Sequence, residues 1–164
     1  MRIVFCDIET EGLINPQKIW VCVTKEPYKQ PQTWFNLHEK ANQAGLVEYL
    51  REEPTIVVGH HFLGFDFGVL RSHIVDFPTE LVIRDTLVLS RLFDSFNHRT
   101  HSLEDWGERL GYQKIYFKDF SKLTDEMITY CIRDVEIVER LWFLWKRFIE
   151  DESLRESIQL EHDS

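Results

Sequence analysis

Three apolar, strand-like runs follow one another before any helical pattern begins. "RIVFCDI" opens at Arg2, "KIWVCVTK" follows, and "QTWFNL" comes after the turn signal "EPYKQP". From residue 39 the pattern alternates instead. A helical stretch over 39–53, with Leu46, Val47 and Leu50 facing inward, stops at Pro54 and leads into the short strand "TIVVG". A helix starts in "FDFGVLRSHI", and "LVIRD" is another short strand. Strands first in succession and then between helices indicate an α/β domain with a mixed five-stranded sheet flanked by helices.

The second half reads as helical. "DTLVLSRLF" (85–93) has helical spacing of Leu87, Leu89, Leu92 and Phe93. In "SLEDWGERLG", Ser102 is the N-cap, Asp105 the capping-box position and Gly111 the stop. The last large helix begins at the N-cap Thr124, and its stripe Met127, Cys131, Val135, Val138, Trp142, Trp145 and Ile149 continues for about seven turns. Residues 1–150 therefore read as one domain, and the acidic segment 151–164 as a frayed or weakly helical tail.

At 164 residues and 43 % apolar, the chain can bury roughly two thirds of its unfolded surface. It has no apolar run of membrane-spanning length and no signal-like leader, and a cytoplasmic monomer is expected. Cys6, Cys22 and Cys131 sit singly in apolar segments and read as reduced core thiols. The net charge of −9 makes the chain a poor general binder of nucleic acid, because affinity comes from cationic side chains neutralising phosphates. A polynucleotide ligand would require divalent cations to offset the repulsion.

Against that background the end of the first strand is unusual. "CDIETE" places Asp7, Glu9 and Glu11 within five positions. Residues two apart on a strand share a face, so Asp7 and Glu9 can share one cation while Ile8 enters the core; Glu11 lies past the strand. In "VVGHHFLGFDFGVL" a second acid, Asp66, stands near a helix start, where it reads either as an N-cap or as a ligand. His60 and His61 have no partners at zinc-like spacing. In "TYCIRDVEIV", Tyr130 and Asp134 are four apart and project from one helix face, with Asp134 bordering the apolar stripe.

D-x-E, then F-D, then Y-x-x-x-D in this order resembles the signature of the DEDD superfamily of 3′–5′ exonucleases, in the branch with Tyr before the last acid. "DTLVLSRL" and "HSLEDWGERLG" are further similar to the exonuclease domain at the N-terminus of family A DNA polymerases from short-tailed phages, here without a polymerase domain. The resemblance implies a ribonuclease H-like fold and two divalent metal ions, Mg²⁺ or Mn²⁺, held by Asp7, Glu9, Asp66 and Asp134. It implies Tyr130 orienting the attacking water, and single-stranded DNA 3′ ends as substrate. Thr10 is implied as a contact to the terminal nucleotide. Leu13 reads equally as a wedge against the last base or as a core residue after a turn. Phe62 and Phe65 are candidates for base stacking or for the core. His61 stands where the family usually has Asn, and is expected as a neutral hydrogen-bond donor near the substrate; in the alternative register, His60 faces the site.

Two other readings remain. One is an RNA-trimming enzyme of the same superfamily. The other is a catalytically silent module that binds a separate DNA polymerase or replisome protein through the acidic tail and the Trp142–Trp145 helix.

Overall fold

The computed structural model describes residues 1–96 and 99–164. Its strands are β1 (Arg2–Thr10), β2 (Ile19–Lys25), β3 (Gln32–Phe35), β4 (Thr55–Gly59) and β5 (Val82–Asp85). They form one sheet ordered β3-β2-β1-β4-β5. β1 pairs antiparallel with β2 and parallel with β4; β3 adds antiparallel to β2 and β5 parallel to β4. The sheet is mixed and five-stranded, as the order of sequence patterns predicts.

Among the described residues the helices are α1 (Ala44–Arg51), α2 (Phe67–His73), α3 (Thr86–Phe93), α4 (Leu103–Arg109), α5 (Asp125–Ile149) and α6 (Arg155–Asp163). Strand β1 is apolar on both faces because both are covered. Val4, Cys6 and Ile8 pack with Leu46 and Leu50 of α1 and Val69 and Leu70 of α2. Phe5 packs on the other side with Met127, Cys131, Val135 and Val138 of α5. Each fully buried side chain of this kind contributes roughly 1.5–3 kcal/mol. That packing fixes α5 against β1 and so sets the separation of the acids they carry. The start of α5 is set by Thr124, whose hydroxyl accepts the Met127 N–H at 3.2 Å, with Asp125 and Glu126 in the first turn.

Two boundaries differ from the sequence reading. α1 begins at Ala44 rather than near 39, because the side chain of Gln43 is drawn into the core: its amide donates to Leu37 O and His73 O, and accepts from Val75 N–H. Of the two readings of the terminal segment, frayed or weakly helical, the structure has the helical one, and it is docked. A 3₁₀ turn (Glu152–Leu154) leads into α6, whose Ile158 is 2 % exposed and belongs to the α5-side core. One buried isoleucine anchors an otherwise acidic, polar helix, and overall composition does not reveal it. No described helix is long and apolar enough to cross a membrane.

Candidate active site

The acids of β1 face α5. Alternation puts Asp7 and Glu9 on the Phe5 side of the strand, and the Cys131 thiol of α5 lies 3.5 Å from Asp7 Oδ2. The β1–β2 register shifts between Glu9 and Thr10, so regular pairing stops where the strand reaches the site. On α5, Tyr130 and Asp134 stand one turn apart as their spacing requires. Asp134 is 4 % exposed.

Asp66 arrives by a less regular route. After β4 the chain turns through His61, in the left-handed region at φ 55°, into a π-helical turn (Phe62–Asp66) that continues as α2. The Asp66 carboxylate makes no helix-capping bond. Its Oδ2 instead accepts the Ile8 N–H at 3.2 Å, tying the turn to β1. The N-cap reading of Asp66 is therefore set aside.

These segments enclose a cavity of about 410 Å³ lined by Asp7, Glu9, Asp66, Tyr130 and Asp134, together with Thr10, Leu13, Phe65 and Phe120. Leu13 is 81 % exposed, which removes its core reading. The Thr10 hydroxyl is committed to Gly12 O at 2.6 Å. Phe65 is half-buried at the cavity, whereas Phe62 is buried in the core and available to no base. Neither histidine lines the cavity. The exposed ring of His61 lies over Gly64, and His60 turns to Thr86 with Nδ1 2.9 Å from its hydroxyl.

Sequence reasoning missed Lys114, in the irregular segment before α5. Its ammonium donates to Tyr130 Oη and to Asp134 Oδ2, both at 3.0 Å. A single lysine in an aperiodic stretch carries no positional signal, and only the fold brings it here. Asp85 and the thiol of Cys131 were also missed as neighbours of site elements.

Electrostatics make this a site under tension. Burial pushes Asp7, Glu9 and Asp66 above the usual carboxylate range, and the charge of Asp7 pushes Glu9 and Asp66 further. Burial and then Asp7 drive Asp134 up to about 7 against the opposing pull of Lys114. Burial, followed by the Asp134 charge, takes Tyr130 up to about 12, so its phenol keeps its proton at neutral pH. Burial alone would lower Lys114; the Asp134 carboxylate overcomes it and holds the ammonium charged.

A divalent cation would relieve that tension, and the donors present fit one. Carboxylate oxygens of Asp7 and Glu9 and the Cys131 sulfur lie within 4.8 Å of one another. Asp134 Oδ1 is buried with no hydrogen-bond partner, a costly state for a carboxylate oxygen unless a further ligand completes it. Oxygen-dominated donor sets suit Mg²⁺ or Mn²⁺.

No protein-family model and no curated protein sequence matches the chain. Solved structures do. Brucella melitensis NrnC with bound Mg²⁺ aligns at TM-score 0.75 and 22 % identity, covering 96 % of this chain and 78 % of that one. The chain is thus ribonuclease H-like in fold. The family B DNA polymerase from Pyrobaculum calidifontis aligns at 0.67 and 15 % identity over 91 % of this chain and 25 % of the polymerase. The zinc-bound E. coli ExoI–single-stranded DNA complex aligns at 0.55 and 14 % identity, over 89 % of this chain and 40 % of that one. The two stretches on which the polymerase resemblance rests fall on α3 and α4, which pack on the α5-side core and supply none of the cavity lining.

Proposed function

We propose that the chain is a metal-dependent 3′–5′ exonuclease of the Tyr-containing DEDD branch. It hydrolyses single-stranded nucleic acid, with DNA as the preferred substrate, and releases nucleoside 5′-monophosphates. The observation that carries this reading is the buried, unpartnered Oδ1 of Asp134 in a cavity shared with three other raised-pKa acids and a protonated phenol.

Asp7, Glu9 and Asp134 would hold one cation, and Asp7 with Asp66 a second. Two such ions supply a nucleophile near neutral pH and stabilise the leaving oxygen of a phosphodiester. The chain's own groups do the rest. Tyr130 accepts a bond from Lys114, which fixes its oxygen, while burial and the Asp134 charge keep its proton in place to orient a water. The Lys114 ammonium holds Tyr130 and Asp134 in one arrangement and offers positive charge to a phosphate. Leu13 and Phe65, at the cavity wall, flank the terminal base, and the Thr10 main chain closes the end.

The DNA preference rests on the phage-polymerase resemblance. RNA trimming has equal support among structural neighbours, since NrnC is seen bound to pGG and ExoI to single-stranded DNA. A silent replisome module has no use for four converging acids. Matched 3′-labelled DNA and RNA oligonucleotides, each with Mg²⁺ and with EDTA, separate the readings. DNA should shorten faster than RNA with Mg²⁺ and neither with EDTA; faster RNA loss would move the substrate to RNA, and no loss of either would leave the silent module.

A further inference from the structure

Asp85 closes β5 and is only 2 % exposed. Its Oδ1 accepts the N–H of Leu87 at 2.9 Å, the ordinary cap of α3. Two further bonds go beyond capping. Oδ1 also accepts the His61 N–H at 2.8 Å, and Oδ2 accepts the Leu63 N–H at 3.0 Å. Both reach across to the chain leaving β4. The next residue, Thr86, reinforces them: its hydroxyl donates to Gly59 O at 3.2 Å. Behind the pair, the Asp85 N–H donates to His162 Nε2 of α6 at 2.8 Å.

The segment gripped in this way is a costly one. A non-glycine residue with positive φ, here His61, is uncommon, and the π turn after it persists only where its surroundings over-determine it. Phe67 N–H bonds back to Phe62 O, the pairing that defines that turn, and Asp66 is its last residue. Relaxation to α-helical pairing would remove one residue from the turn. It would swing Asp66 by about 100° around the helix axis, away from Ile8 and the β1 acids.

We propose that Asp85 is a positioning residue for Asp66: by holding the His61 and Leu63 amides it locks the π turn in the register that aims Asp66 into the cavity. This rests on the exonuclease reading, in which Asp66 supports a cation. Asp85→Asn is the probing change. Its amide oxygen can keep accepting from His61 and Leu87, but its NH₂ group then opposes the Leu63 N–H, donor against donor.

The test compares the wild type, Asp85→Asn and the core variant Leu50→Ala on α1, which lowers stability at the other end of β1. Mn²⁺ binding is measured by calorimetry, and kcat and KM for a single-stranded oligonucleotide are measured across a Mg²⁺ titration. For Asp85→Asn we expect one binding event weakened by about tenfold or more, with the half-saturating Mg²⁺ raised to match, as for other groups that orient a ligand. KM for the oligonucleotide at saturating Mg²⁺ should stay within about twofold, since the base-binding wall is untouched. Leu50→Ala should lower the melting temperature without moving either metal measurement. Normal Mn²⁺ binding by Asp85→Asn, with only its melting temperature lowered, overturns the proposal and leaves Asp85 as a helix cap. Failure of the wild type to bind Mn²⁺ would instead remove the exonuclease reading and this proposal with it.

Discussion

Asp7 is the like charge that Glu9, Asp66 and Asp134 all feel. It raises Glu9, Asp66 and Asp134 together, so replacing it should relieve all three. The sign follows from linkage. These carboxyls have folded-state pKa values above their unfolded values, so the native state binds more protons in a window that opens at about 4 and, for Asp134, closes at about 7. Their contribution to stability is therefore present at low pH and lost as pH rises through that window. His60 runs the other way: burial lowers it to about 4, so its contribution is lost as pH falls from its ordinary value. Comparing Asp7→Asn with the wild type in EDTA cancels the His60 effect. The variant should match the wild type near pH 4 and melt higher by pH 7. A variant less stable by the same amount at both pH values would show that repulsion is not what the site stores. Tyr130→Phe probes the other function at this scale. It should cut kcat by about tenfold, the scale of one lost hydrogen bond near a charged group, while leaving Mn²⁺ affinity intact. Weakened binding in calorimetry would make Tyr130 part of the cation site instead.

At the scale of elements, what was legible followed periodicity. Period two placed Asp7 with Glu9, and period 3.6 placed Tyr130 above Asp134, because a regular strand and helix leave a side chain's direction no freedom. Asp66 was readable as an acid near a helix start. Its π turn was not, because the side chains bonded to the chain around that turn, Asp85 and Thr86, are distant in sequence. Asp85 itself read only as the junction of a short strand and a helix, and its reach to the chain after β4 leaves no local signal. α6 was lost for a similar reason, since one buried isoleucine in an acidic stretch raises no periodic signal. Its docking is testable. Ile158→Ala should destabilise the protein by roughly 2–5 kcal/mol in urea titration, the range for emptying a packed core position. An unchanged midpoint would return this segment to the frayed tail that its composition suggests.

For the whole molecule, a net charge of −9 and an acidic cavity oppose long-range attraction of the proposed nucleic-acid substrate. Binding of single-stranded DNA without metal should be weak, with a log–log salt slope no steeper than about −3. A steep slope in EDTA would reveal a cationic surface outside the cavity. The central claim is that four carboxylates from β1, the π turn and α5 meet in order to hold cations for hydrolysis at a 3′ end. Its most direct measurement is product release from a 3′-labelled single-stranded oligonucleotide by wild type and by Asp134→Ala, with Mg²⁺ or EDTA. The account predicts that the wild type frees the label first, as a nucleoside 5′-monophosphate, only with Mg²⁺, and that Asp134→Ala frees none while remaining folded. Cleavage that survives EDTA, or an Asp134→Ala protein that keeps half the wild-type rate, would contradict it.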